Sequence, residues 1–289
     1  MKPPPFSYHD PSTLEDAVTL LSSLENAKVL AGGQSLMPML NMRYVLPDHV
    51  VDINKIEDLA YIREDGDALE IGAMTRQRDL ERSEIVQKKC PLMHEALWQV
   101  GHQQTRNRGT LGGSLSHLDP AAEMPSICAT TDAIVRVLGP NGEREIGFAD
   151  FPAGYMTPAI EEDELVTSIR IPCWPDGHGF GFVEFSRRHG DFAIASAAVL
   201  LEVGADGKIG RAAVTVGGVG ATPVRVTELE ETIMGQEGSE EMFRDACEVC
   251  REIDALGDVY ASTEYRQHLA TVMARRALVK AYDRATNGA

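Results

Sequence analysis

The stretch VLAGGQSLMPML, residues 29–40, joins a short apolar run to two glycines, then Gln34 and Ser35, then a second apolar segment that reads as the start of a helix. Two adjacent residues without side chains at a strand-to-helix corner have two readings. Gly32 and Gly33 make a tight turn, or they leave backbone N–H groups open as an anion nest, with the Ser35 hydroxyl as a further donor. The flanking segments set the fold class. PSTLEDAVTLLSS, from residue 11, places Ser12 three residues before Glu15, with apolar residues at 14, 17, 18 and 21, and so predicts a capped amphipathic helix. AKVLA and HVVDI (49–53) predict short buried strands on either side of the glycine corner. Residues 1–55 therefore read as a small α/β lobe with parallel strands.

Beyond it the pattern changes to α+β. ALEIGAMT predicts a strand running into a helix near Arg76, and PLMHEALWQVG a helix ending at Gly101. AIVRVLGPNGEREIGF predicts a hairpin turning on residues 139–142, and ELVTSIRIP another strand. Near Pro175 the turn-rich WPDGHG marks a boundary. FGFVEFSRR, FAIASAAVLLEVG and KIGRAAVTVGG then predict three strands, followed from Val224 by three helical segments, the last of which docks on the sheet. The expected units are residues 1–55, 56–175 and 176–289.

The chain has 289 residues and a formal net charge of −17, which disfavours nucleic acid and anionic lipid as partners. No long uninterrupted apolar run or export signal is present, so no membrane insertion and a cytoplasmic location are expected. Five dispersed cysteines read as reduced thiols. Cys247 and Cys250, in FRDACEVCREI, which reads as continuous helix, are expected to be two thiols on one buried face, since no second pair or Cys/His cluster completes a metal site. The histidines show no ligand spacing, and no metal is expected on this chain.

A second glycine stretch, TRNRGTLGGSLSHLDPAAEMP (105–125), repeats the design: Gly112 and Gly113, then Ser114. Neither stretch contains the dinucleotide or P-loop fingerprint, which argues against a Rossmann NAD site and a P-loop NTPase. Two such corners fit the two phosphates of one diphosphate, so the residues alone point to an anionic ligand of nucleotide type.

AGGQS at 31–35, RNRGTLGGSLSHLDPAAEMP at 106–125, SRRHGDFAIASAAV at 186–199 and VGGVGATPVR at 216–225 together resemble the FAD-binding medium subunit of the molybdenum hydroxylases, a family of carbon monoxide dehydrogenase and xanthine dehydrogenase type. The resemblance covers nearly the whole chain. It implies a two-lobed FAD-binding domain, a C-terminal domain with a three-stranded antiparallel sheet and helices, and FAD as cofactor. It also implies a small partner subunit with [2Fe–2S] clusters and a large one with a molybdenum–pterin cofactor, in a dimer of heterotrimers. In that scheme the chain is an oxidoreductase subunit that passes electrons from the clusters to an external acceptor, with no catalytic residues of its own. A free-standing FAD oxidoreductase of the same fold, or a flavin-free assembly subunit, are the competing readings.

Carried onto matching positions, the resemblance assigns Ala31, Gly32, Gly33, Gln34, Ser35 and Leu36, with Thr110, Gly112, Gly113 and Ser114, to the FAD diphosphate. The glycines would then be required because side chains would fill the space of the diphosphate. Glu123 corresponds to a cofactor-bonding acid, against a solvated loop carboxylate. Val166 corresponds to a backbone flavin contact, against a plain core strand residue. Phe192 corresponds to a bulky residue beside the isoalloxazine, against ordinary core. Asp119 reads as turn chemistry, residues 161–164 as a solvated acidic turn, and Arg187 and Arg188 as surface or interface residues. Glu184 stands where some relatives carry lysine, which puts a local positive charge at the flavin in doubt.

Overall fold

The computed structural model describes residues 1–288. The first lobe is built on strand β1 (Ser7–His9), helix α1 (Leu14–Ser23), strand β2 (Ala27–Leu30), helix α2 (Leu36–Met42) and strand β3 (His49–Asp52). The strands pair in parallel in the order β1-β3-β2. The cap of α1 is Thr13, one residue later than the Ser12 expected. Its hydroxyl accepts from Asp16 N at 3.1 Å, and Ala17, Val18 and Leu21 form the buried stripe. Strand β1 has no alternating apolar signal. It is held from outside, by β3 and by the Tyr8 hydroxyl donating to Asp52 at 2.7 Å.

The second lobe contains strands β4 (Ile62–Asp65) and β5 (Ala68–Gly72), then helices α3 (Gln77–Arg82), α4 (Glu84–Lys89), α5 (Pro91–Leu97), α6 (Gln103–Arg108), α7 (Leu111–His117) and α8 (Glu123–Thr130). Strands β6 (Ile134–Gly139), β7 (Gly142–Gly147), β8 (Pro152–Gly154), β9 (Thr157–Pro158) and β10 (Leu165–Pro172) follow. The main sheet is antiparallel in the order β4-β5-β10-β6-β7. Helix α5 stops at Leu97, and Gly101, at φ +45°, closes the turn beyond it rather than the helix itself. The acidic stretch 161–164 is not a wholly solvated turn: Glu164 accepts two hydrogen bonds of 2.6 Å from Arg144 and is largely covered.

The C-terminal domain has β11 (Gly179–Phe185), β12 (Ala195–Val203), β13 (Ile209–Gly217) and a two-residue edge strand β14 (Val224–Arg225) added to the three strands expected. Helices α9 (Thr227–Ile233), α10 (Glu240–Ala246) and α11 (Thr263–Asn287) follow. One face of this sheet packs on α11 around Val199, Val214 and Ala274, and the other joins the core of the second lobe through Phe182, Ala198 and Leu200. Burial on both faces explains the unbroken apolar run of β12. The helix predicted through Cys247 tightens into a 3-10 turn over Cys247–Glu252, which places both thiols in the core. The first lobe is joined to the second by Leu59, Met74 and Leu165, packed with Ala17, Leu21 and Val51. No helix among the described residues is long and apolar enough to cross a membrane.

Candidate functional site

At the corner between β2 and α2, Gly32 and Gly33 are required for two different reasons. A side chain on Gly32 would collide with the carbonyl of Arg108 in the second lobe. Gly33 has φ +73°, a left-handed conformation that a Cβ disfavours. The expected reason, space for a ligand, is therefore replaced at Gly32 by a close approach of two backbones. The N–H groups of Gly32, Gly33, Gln34, Ser35 and Leu36 find no acceptor among the described residues, and the Ser35 hydroxyl is likewise unpaired. This row of free donors is the anion nest that the glycines permit.

The second glycine pair is different. Gly112 and Gly113 lie inside the first turn of α7, with Thr110 as N-cap. Leu111 N donates to Thr75 O, Gly112 N to Ala73 O at 2.9 Å, Gly113 N to Thr110 Oγ1 and Ser114 N to Thr110 O. All four donors are committed within the chain, so this turn is not a second nest. Gly112 serves packing, because its Cβ would stand 2.6 Å from that of Ala73. Gly113 faces the first corner, with the position of its Cβ 3.6 Å from Ala31 Cβ. What the second turn can offer a ligand is the Ser114 hydroxyl and a wall without side chains.

Three residues that the sequence reading passed over tie the corners together. Asn54 Nδ2 donates to Ala31 O at 2.9 Å, Arg76 Nη2 to Asn54 Oδ1 at 2.6 Å, and Arg76 Nη1 to Arg108 O at 2.7 Å. Burial, and then the like charge of Arg108, lowers the pKa of the Arg76 guanidinium. The Arg76 guanidinium, held beside a row of free N–H groups with the exposed Arg108 side chain close enough to act on its charge, favours an anion there. The only sequence signal was Arg76 at a helix start, where an N-cap is normally a small polar residue.

Helix α7 spans about 10 Å at 1.5 Å per residue, and the turn after it opens into a cavity of about 670 Å³ lined by Asp119, Tyr155, Arg187, Phe192, Gly218 and Tyr260 among others. Phe192 is 66% exposed, so it belongs to the cavity rim and not to the core. The Arg187 guanidinium lies 4.1 Å from the Tyr260 ring centroid, and Asp119 accepts from Ala121 N at 2.9 Å, the turn chemistry expected. Glu123 heads α8 two residues beyond Ala121 and is 8% exposed, which excludes the solvated-loop reading. Val166 points its side chain into the second-lobe core beside a bulge in β10 and is not among the cavity-lining residues. Among the described residues no three His, Cys, Asp or Glu side chains gather as a metal-holding group.

A family model described as the FAD binding domain in molybdopterin dehydrogenase matches residues 4–174, which include both glycine corners, and a model of the CO dehydrogenase flavoprotein C-terminal domain matches residues 181–281. The chain is a member of the FAD-binding medium-subunit family of the molybdenum hydroxylases. This medium subunit is 40% identical to caffeine dehydrogenase subunit beta of a Pseudomonas species, over 98% of this chain and 97% of that one. It is 38% identical to the carbon monoxide dehydrogenase medium chain of Afipia carboxidovorans, over 99% and 100% of the two chains. Among solved structures it is similar to a carbon monoxide dehydrogenase from Hydrogenophaga pseudoflava that lacks the Mo-pyranopterin moiety of its molybdenum cofactor, with a TM-score of 0.95, 36% identity, and 98% and 99% of the chains covered. The relatives are dehydrogenase subunits, and this medium subunit is accordingly an oxidoreductase component. Its free N–H row and paired arginines fit the diphosphate of FAD.

Proposed function

We propose that this chain carries one non-covalent FAD, with its diphosphate on the N–H groups of residues 32–36 and its ring system in the cavity rimmed by Phe192 and Tyr260. The observation that carries the reading is the row of unpaired donors beside Arg76 and Arg108, about one α7 length from a cavity of a size usual for cofactors. Bound FAD supplies the carrier chemistry for two electrons. The chain's own residues bind and orient. Ala31 is held by Asn54, Gln34 and Ser35 face the diphosphate with Leu36, Ser114 and Thr110 close the other wall, and Glu123 stands at the cavity end. Val166 is proposed to act through its backbone only, since its side chain is core.

In this reading the electrons come from [2Fe–2S] clusters on a small partner subunit. A large subunit with a molybdenum–pterin cofactor oxidises the substrate, and this chain passes the electrons to an external acceptor, in a cytoplasmic dimer of heterotrimers. The division into residues 1–55, 56–175 and 176–289 is proposed on the same footing, each unit having its own sheet. The test is reconstitution of the apoprotein with FAD, FMN and riboflavin, followed by acid precipitation. FAD alone should bind with high affinity and should leave the precipitate. Equal binding of riboflavin would remove the diphosphate nest from the site, and flavin retained in the pellet would contradict non-covalent attachment.

A further inference from the structure

Among the glutamates of the chain, Glu70, Glu81, Glu95, Glu123, Glu164, Glu184 and Glu230 are buried or half-buried. Five of them meet a cation. Glu70 is paired with Arg63 and Arg136, Glu81 with Arg78 and Arg106, Glu95 with Lys280 and Arg284, Glu164 with Arg144, and Glu230 with Arg225. Glu123 and Glu184 meet none among the described residues, and they lie at one seam, where α8 of the second lobe covers the C-terminal sheet.

The sheet register places Glu184, Ser196 and Gly217 in one row facing α8. A Cβ on Gly217 would collide with Ser126 Oγ from α8 and stand 2.7 Å from Ser196 Oγ, so the row and the helix meet there. Three buried atoms at this seam have no hydrogen-bond partner among the described residues: Ser126 Oγ, Thr215 Oγ1 and Glu184 Oε2. Ser126 and Thr215 are fully buried. Other charges are already engaged or exposed. Arg106 on α6 is bound to Glu81 at 2.8 Å, Asp119 caps its own turn, and Arg187 at the end of β11 is turned to Tyr260 and Asp191. The seam backs the cavity, since Gly218 and Asp119 line it and Gly218 N donates to Pro120 O at 2.7 Å.

Two carboxylates buried at one seam with no cation in contact resist ionising together, because the backbone N–H at Glu123 and the more distant Arg106 offset only part of their desolvation and repulsion. We propose that Glu123 and Glu184 carry one proton between them across this seam at neutral pH, behind the cavity wall, and that the pair takes up further proton when the cavity is filled. Burial first, and then the charge of Glu123, pushes Glu184 up to about 8. Burial first, opposed by a hydrogen bond from its own backbone N–H and by Arg106 and aided by Asp119, pushes Glu123 up to about 7. Filling the cavity removes water from its wall, which disfavours charge behind it further. A proton then passes from solvent to a carboxylate oxygen of the pair. The second half of the proposal rests on the FAD reading above, and the first does not.

Infrared spectroscopy of the apoprotein tests the shared proton without cofactor. The carbonyl band of a protonated carboxylic acid should be present at neutral pH, fade toward about pH 9, and be lost or shifted to lower pH in Glu184→Gln, where Glu123 is freed of its like-charged neighbour. No such band, or one that Glu184→Gln leaves unchanged, overturns the pair. Should that variant not fold, Glu123→Gln read in the infrared gives the same test from the other side. Calorimetry of FAD binding near pH 8, in buffers of different ionisation heat, should show fractional proton uptake in the parent and little in Glu184→Gln. Equal uptake in both overturns the coupling. If FAD binds to neither, the cofactor reading fails while the infrared result still decides the pair.

Discussion

The corners at residues 31–35 and 110–114 share a Gly-Gly-x-Ser or Gly-Gly-Ser pattern and do different work. In the first, the chain leaves a strand, Gly33 turns left-handed, and the donors of residues 32–36 stay free. In the second, the glycines are already helical and every donor from Leu111 to Ser114 has an acceptor in the chain. The difference teaches that a glycine pair marks a place where backbone must come close to something. Only the neighbouring acceptors decide whether that something is a ligand or the protein itself.

Substitutions at the two corners should separate these roles. The largest effect is expected for Gly32→Val, which drives a branched side chain into the Arg108 carbonyl and disrupts the lobe junction and the nest together. Flavin binding should fall by more than about 100-fold, with a stability loss of about 3 kcal/mol or more, read by fluorescence titration and thermal melting. A variant with normal flavin content would show that the two backbones can separate at no cost.

Next is Arg76→Met, which removes a cation and the link between Asn54 and Arg108. FAD affinity should drop about 10- to 100-fold, in keeping with lost charge-assisted bonds of about 1.5–3 kcal/mol. Its dependence on salt should become shallower than that of the parent. Unchanged salt dependence would take Arg76 away from the anion.

Gly112→Ala sharpens the contrast from the other side. The added methyl meets Ala73, so about 1–3 kcal/mol of stability should be lost, while FAD affinity changes little because the donors there are internal. A selective loss of FAD affinity with an unaltered melting temperature would return this turn to the list of diphosphate donors.

The pH profile of stability contrasts the paired and unpaired glutamates. Glu70 and Glu81 would be raised by burial, but their arginines hold both below the usual carboxylate range. Their contribution is present above the unfolded value of about 4.3 and is lost as pH falls through the lower folded value. Glu123 and Glu184 have raised folded values, so their contribution is full below the unfolded value and is lost as pH rises through about 7 to 8. The apoprotein should therefore melt highest on the mildly acidic side of neutrality. A melting temperature still climbing above pH 8 would count against the seam pair. The smallest effect is expected for Thr110→Ala, which loses only the cap on Gly113 N, about 1 kcal/mol, seen as a drop of a few degrees with FAD retained.

Much of this was legible along the chain. Period-two and helical apolar patterns located β2, β3, β5, β6, β7, β10 and the three long C-terminal strands, because those elements bury one or both faces and the pattern records it. The glycine corners and their serines stood out for the same local reason. Strand β1 was not legible, since it is held by partners remote in sequence, and neither was the 3-10 turn at Cys247, where packing against α11 overrides helical spacing.

Sequence by itself determined the succession of elements, the surplus of negative charge, the turn at Asp119 and the family to which the corners point, because each depends on residues within a turn or two of one another. Tertiary structure alone decided which corner keeps its donors free, that Arg76 is tied to the Arg108 carbonyl there, that Phe192 lies on a rim, and that the carboxylates of Glu123 and Glu184 are buried at one seam without a salt-bridge partner among the described residues. The physical reason is that hydrogen-bond satisfaction and charge pairing are properties of neighbours in space. The acceptors at Ala73 and Thr75, the Arg108 carbonyl, and Glu184 opposite α8 all lie more than a helix or strand away along the chain.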